Sequence, residues 1–454
     1  MAVLTTKGKK ISFIGGYKVQ YVFWATFLAY VIISLRNIFL KKIRYSSATY
    51  ILLGVCIPLV LYSFRWSELI TEAPTDDFYI LFIYLFLAGI FAQIINNGEV
   101  NCPSEIIITR GRGFITLINL VWIASLLMEN YVTTGYLFPS LLGIDGHAQQ
   151  ASGLLYITRA SYAFVALDLV YFFSTKEKYY FSLSLIPILL PILSTSSRMQ
   201  AVETLLEGLS FFLFLWGNGY SIKNPNKLRN TILVWKGKPI IDESKRGRFG
   251  IIQKVILAII IGVLVYVLVM VGIDRMTHYG IYSVLYSDGI KYTGPFGEVG
   301  AWIYGYFALS FNNLNRSILT NRAVPNYIGI YSFNSLFFGI LQFDNLFGMK
   351  SNAAQSASNW VVHAATVPTG FWSFYYDYKL LCFIPIVWAF IRERIIKYFS
   401  VRSKRGLIWT VIYFYCIPQW FFMSFTNTIF DVTGLTTAII IIILFYLCTG
   451  TNNS

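Results

Sequence analysis

Apolar stretches of about 18 residues or more recur along almost the whole chain, and no other feature restricts its fold as strongly. At 1.5 Å rise per residue, about 20 residues of helix cross the roughly 30 Å hydrocarbon core of a bilayer. A helix also pairs its own backbone N–H and C=O groups, which hydrocarbon cannot do for it. A single buried core in 454 residues would not need so many such stretches. Composition agrees: only 13% of residues are charged, against roughly 25% in soluble domains. The expected fold is an all-α integral membrane protein with about eleven transmembrane helices, forming a single polytopic membrane domain over residues 1–454.

The segments read as residues 17–35, 47–64, 78–95, 113–129, 155–174, 179–195, 199–216, 250–273, 375–391, 407–426 and 433–449. Basic residues follow every second one. They come after the first (Arg36, Lys41, Lys42, Arg44), the third (Arg110, Arg112) and the fifth (Lys176, Lys178). They return after the seventh, within residues 218–249, and after the ninth (Arg392, Arg394, Lys397, Arg402, Lys404, Arg405). Lys and Arg are retained on the cytoplasmic side, so these connections, including the basic loop 218–249, are expected there. The intervening connections lack the basic excess, and the largest of them, residues 274–374, is expected to be external. One departure is the N-terminal trio Lys7, Lys9 and Lys10, which the alternation places outside. Residues 1–16 show no short apolar stretch ending in small residues, so the first segment is expected to remain in the mature protein. The net charge of +15 is accounted for by these loops, and nucleic acid is not an expected partner.

The large external loop is rich in Tyr, Trp, Phe and Asn. Its two apolar pieces, 299–311 and 327–341, are too short for comfortable spans and are expected to be re-entrant or interfacial helices. The aromatic enrichment suits a headgroup belt and equally suits stacking against sugar rings. Five cysteines are scattered without paired spacing and only three histidines occur. No protein-held metal and no cofactor are expected.

Ionisable groups near the bilayer are few and costly, so function is sought among them first. Arg159, Arg198, Arg316 and Arg322 all fall on the external side, against the charge bias. Snorkelling to headgroup phosphates is one reading. The other is a set of guanidinium forks for phosphate or pyrophosphate, with Arg198, after a run of small hydroxyl residues, as the best placed. His363 and Asp377 precede or open the ninth segment, where either could serve as general base and Asp377 could instead cap a helix. Asp168, inside an apolar stretch, is expected to pair with an interior partner. No P-loop, dinucleotide fingerprint or Ser/His/Asp constellation is present.

Four features together resemble the Wzy-type oligosaccharide repeat-unit polymerases (O-antigen and capsule polymerases). They are the Ser-Ser-Arg turn at Ser196–Arg198, the very large outer loop late in the chain, the run from Tyr306 through Asn312 and Asn313 to Leu314, and the Thr366 to Tyr378 stretch carrying Tyr376 and Asp377. The resemblance covers about segments five to nine. It departs where the family pattern reads aspartate, aromatic, glycine, because this chain has Asp377-Tyr378-Lys379. It implies a glycosyltransferase of the bacterial cytoplasmic (inner) membrane, joining undecaprenyl-pyrophosphate-linked oligosaccharide repeat units on the outer face without a metal. Arg198, Arg316, His363 and Asp377 would then be catalytic, and Arg159, Tyr306, Asn312, Asn313, Arg322 and Tyr376 would bind substrate. Membrane lipids, a chain-length regulator and a flippase are the implied partners. A flippase for lipid-linked sugars would show internal repeats or paired broken helices; a ligase is barely separable by sequence.

Overall fold

The computed structural model of the chain describes residues 16–40, 43–95, 100, 105–142, 155–175, 177–195, 198–217, 233–236, 291–320, 327–333, 336–337, 341, 369–403, 405–425 and 427–450. The eighth apolar stretch (250–273), His363 and Arg322 lie outside them.

The chain is built of helices. α1 (Gly16–Phe39) is followed by α2 (Ser47–Ile51), which runs through a π turn at Leu52–Cys56 into α3 (Ile57–Ser63), and then by α4 (Asp76–Ile95). After β1 (Glu105–Ile108) come α5 (Arg112–Thr134), α6 (Leu155–Thr158), α7 (Ser161–Thr175), α8 (Lys178–Thr195) and α9 (Arg198–Gly217). Beyond β2 (Leu233–Lys236) lie α10 (Gly297–Thr320), α11 (Phe371–Tyr378), α12 (Phe383–Arg402), α13 (Gly406–Cys416), α14 (Gln419–Phe422) and α15 (Val432–Cys448), ending in β3 (Thr449–Gly450).

Residues Val19–Phe39 of α1, all of α4 and all of α5 are long and apolar enough to cross a membrane, and shorter apolar helices surround them. Their outward faces are apolar: Leu28, Ile32, Leu117, Leu120, Ile439 and Ile443 are all exposed. Water would not tolerate so extended an apolar band, whereas lipid covers it. The chain is a multi-pass membrane protein.

Close crossings hold the bundle. A Cβ at Gly89 would strike the ring of Tyr30, so glycine lets α1 sit tightly on α4 and bury that tyrosine completely. A Cβ at Gly54 would overlap the backbone of Phe421, and Ser424 donates to the Gly54 carbonyl. The π turn is thereby clamped to the break between α13 and α15. Gly135, at φ 79°, closes α5 in the left-handed conformation that favours glycine.

The two ends of the bundle differ. At one, β1 pairs antiparallel with β2 (Glu105↔Lys236 to Ile108↔Leu233) and with β3 (Ile107↔Gly450, Ile108↔Thr449). This sheet end joins the connection after α4, the connection after α9 and the residues following α15. The opposite, loop end joins different stretches. Ser67 bridges to Tyr292, Gly370 N donates to the Met423 carbonyl at 2.8 Å, and Asn427 Nδ2 donates to Ser332 O at 2.7 Å and Ser373 Oγ at 3.1 Å.

The fold is all-helical as expected, with a small three-stranded sheet added by the connections; several finer expectations need correction. The piece 299–311 is part of a continuous 24-residue helix, α10; of the piece 327–341, residues 327–333 form turns, 336–337 are helical, and 334–335 and 338–340 lie outside the described residues. Segment five breaks at Arg159–Ala160 and segment ten at Ile417–Pro418. Segment nine divides into α11 and a longer α12, so Arg392, Arg394 and Lys397 sit on a helix and not in a loop. Arg392 turns inward, donating to the Ile429 carbonyl and, at 3.1 Å, to Gln419 Oε1. It thus supplies donors to the chain around the break after α13.

Candidate functional site at the loop end

α10 lies along the loop end. Thr293 N, ahead of the helix, donates to the Trp66 carbonyl at 2.8 Å. Near its other end Asn315 Nδ2 donates to Ala73 O at 3.1 Å and its Oδ1 accepts from Thr75 N at 2.9 Å. Both ends of α10 touch the same connection, 64–75, which runs beside it. A helix spanning the bilayer would place its ends on opposite faces. The polar run of α10 is buried: Ser310, Asn312, Asn313, Asn315 and Ser317. The amide of Asn312 has no hydrogen-bond partner at either atom among the described residues. Arg316 Nε is 3.7 Å from Glu72 Oε2 in a half-exposed pair.

α10 and α11 both pack on α4, where Phe311 and Phe371 lie 5.6 Å and 5.4 Å from Phe82. Arg316 pairs with Glu72, Asn315 binds Ala73 and Thr75, and the Tyr375 phenol donates to Asp77 Oδ2 at 2.6 Å, so these ends of α10 and α11 meet in one layer at residues 72–77. Tyr331, Trp372 and Tyr376 form an aromatic cluster, with Tyr376 at 4.7 Å from each of the other two rings. Burial, with Tyr376 and Asp377 nearby, raises the Tyr331 phenol above its ordinary value. Asp377 ends α11 rather than opening it. Its carboxylate accepts from Tyr331 N at 3.2 Å and Ser332 N at 2.5 Å, and its carbonyl from Tyr327 N at 3.1 Å. It thereby anchors the turn at residues 327–332 through that turn's backbone N–H groups.

Arg159 occupies the turn between α6 and α7, away from that layer. Arg198 opens α9, with its side chain outside the described residues, as is that of Tyr306. Sequence reasoning passed over the groups next to Arg159. Glu203 and Glu207 lie one turn apart on α9, and Glu203 is within electrostatic reach of Arg159 and Asp431. Tyr415 is within reach of both carboxylates. Gln200 ties the same face of α9 to the α6–α7 turn, donating to Thr158 O at 2.6 Å and Ser161 Oγ at 2.8 Å. The signal was available: Gln200, Glu203, Thr204, Glu207 and Ser210 fall on one helical face inside an apolar stretch. The connection after α14 relates the two groups, since Asn427 holds the α11 side and Asp431 is within electrostatic reach of Glu203. Asp168, by contrast, accepts from Asn119 Nδ2 at 3.1 Å deep in the bundle.

The loop end thus offers two separate groups, Arg316 with the aromatic wall and Arg159 with Glu203 and Glu207, the first able to hold an anionic sugar and the second to pair an anion and move a proton. Among the described residues no group of three or more His, Cys, Asp and Glu side chains is placed to hold a metal ion. Compared with protein families, curated proteins and solved structures, the chain matches none.

Proposed function

We propose that the chain is a polysaccharide polymerase of the bacterial cytoplasmic membrane, a glycosyltransferase joining undecaprenyl-pyrophosphate-linked oligosaccharide repeat units. In this reading it crosses the bilayer about eleven times, with the sheet end cytoplasmic and the loop end external. The β1–β3 sheet supports the sidedness, because it pairs stretches that the charge alternation independently assigns to one side. The reading is supported chiefly by one observation: Arg316 and Asn315 of α10 and Tyr375 of α11 all meet residues 72–77, at the end of α11 that carries Tyr376 of the Tyr331–Trp372–Tyr376 cluster.

In the reaction a hydroxyl of the acceptor unit attacks the anomeric carbon of the growing chain. The bond to the carrier breaks and its electron pair leaves with the pyrophosphate. Arg198 and Arg316 stabilise that growing charge by hydrogen bonds that strengthen toward the transition state, while Arg159 helps to hold the substrate. The hydroxyl proton passes to Glu203 or His363. Sugar rings rest their C–H faces on the aromatic cluster.

Reconstitution in a bilayer with lipid-linked repeat units tests this. A polymerase converts them to a ladder of longer carrier-linked glycans, and EDTA leaves the ladder intact. Unchanged single units would overturn the reading. In cells, loss of the chain should leave single repeat units, whereas loss of a ligase leaves long polymer on its carrier. Cysteines replacing Ser244 and Ser287 should be labelled from opposite sides of the membrane.

A further inference from the structure

We propose that Lys379, at the junction of α11 and α12, binds a lipid-borne oxyanion, the pyrophosphate of a polyprenyl carrier. The inference rests on the polymerase reading for its choice of carrier. Lys379 has φ 49° and ψ −124°, a backbone conformation open to glycine and strained for any residue with a Cβ. Its Nζ is buried and has no hydrogen-bond partner among the described residues. The rings of Tyr375 and Tyr376, with centroids 5.1 Å and 5.8 Å away, favour a cation beside them but leave its three donors without an oxygen. Asp77 is the carboxylate whose field reaches it, and Asp77 Oδ2 already accepts from the Tyr375 phenol at 2.6 Å. An ammonium has donors and no acceptor, so whatever completes this site must bring negatively charged oxygens. The level of the site indicates where they come from. Directly beyond Lys379 the chain turns apolar side chains outward, with Leu380, Leu381 and Ile384 exposed at 49%, 44% and 45%. The ammonium thus sits where the lipid-facing surface begins, the depth of a phosphate attached to a hydrocarbon chain.

The test uses the full chain in phosphatidylcholine nanodiscs and measures binding of radiolabelled undecaprenyl pyrophosphate alongside thermal unfolding. Lys379→Gly should weaken binding on the order of tenfold to a hundredfold, the loss of a charge-assisted hydrogen bond, while raising the melting temperature of the unliganded protein. Lys379→Met keeps the strain and removes the charge, and it should show the same loss of affinity. Undecaprenol, lacking phosphate, should bind all three proteins alike. Unchanged pyrophosphate affinity in both variants would overturn the proposal, as would a lower melting temperature for Lys379→Gly. If phosphatidylglycerol competes as well as the carrier and depends equally on Lys379, the site takes ordinary headgroups and the commitment to the carrier fails. A wild-type chain that binds the carrier through Lys379 but builds no ladder sinks the polymerase reading and leaves this inference standing.

Discussion

The two ends of the bundle are held together in opposite ways. At the sheet end, connections are fixed by a regular antiparallel ladder and by arginines laid on aromatic rings, Arg112 at 3.8 Å from the Tyr179 centroid and Arg405 at 3.7 Å from that of Tyr446. At the loop end the backbone is contorted. Every non-glycine residue with positive φ among the described residues falls there: Arg65, Lys291, Phe296, Tyr327 and Lys379. Each such conformation costs on the order of 1 kcal/mol or more and persists only where neighbouring contacts impose it. Buried polar atoms without partners among the described residues occur at both ends, in Asn312 and Lys379 at the loop end and in Arg405 at the sheet end, so it is the backbone strain that separates the two. Strain gathered at one end marks that end as the place to look for function, with the other as the anchor.

The sharpest way to break this comparison is at Arg198, the first residue of α9. If its guanidinium binds the leaving pyrophosphate, Arg198→Ala should lower turnover in the ladder assay by about a hundred- to a thousandfold, the loss of roughly 2.7–4 kcal/mol of transition-state stabilisation. Arg198→Lys keeps the charge without the fork and should remain substantially impaired. Wild-type ladders from a well-expressed lysine variant would instead identify a snorkelling side chain.

Asp377 tests whether the strain is held by contacts or is incidental. Its carboxylate accepts two backbone N–H groups from the turn that follows Tyr327, itself at φ 54°. Asp377→Asn replaces one accepting oxygen by a donor and leaves an amide N–H facing another. The expected loss is about 1–3 kcal/mol in thermal unfolding, with turnover down only a few-fold. Unchanged stability with abolished turnover would make Asp377 the base and the anchoring role secondary.

Much of the helical frame was legible because hydropathy reports which stretches tolerate lipid, and α1, α4 and α5 meet the length requirement outright. Breaks were not. Arg159–Ala160 and Ile417–Pro418 interrupt runs whose composition stays apolar, and hydropathy contains nothing about where hydrogen bonding changes course. The apolar run at 299–311 ends where Asn312, Asn313, Asn315 and Arg316 begin, yet the helix continues through them and the asparagines are buried against protein. Glu203 and Glu207 were visible at a four-residue spacing and were passed over in favour of arginines. The partners of Asp377 were out of reach, since Ser332 meets it across 45 residues of chain. The strain at Lys379 is a backbone property, and side-chain identity alone carried only the hint that lysine replaces glycine of the resembled pattern.

The smallest expected effect belongs to the sheet end, and for that reason it calibrates the rest. Arg112 is exposed, opens α5 and lies over Tyr179, whose hydroxyl is 2.7 Å from Thr116 Oγ1. Arg112→Gln keeps much of the length and removes the charge. An exposed cation–π contact contributes about 0.5–1 kcal/mol, so thermal unfolding should shift slightly and turnover should not change. Arg112 also belongs to the basic connection that follows α4, so the substitution removes one of the charges retained on that side. With Arg110 still present, cysteine labelling at position 244 should report unchanged sidedness. A loss of turnover as large as that of Arg198→Ala, in a protein that still folds and inserts correctly, would mean that the sheet end takes part in the chemistry. The division between an anchoring end and a working end would then be wrong.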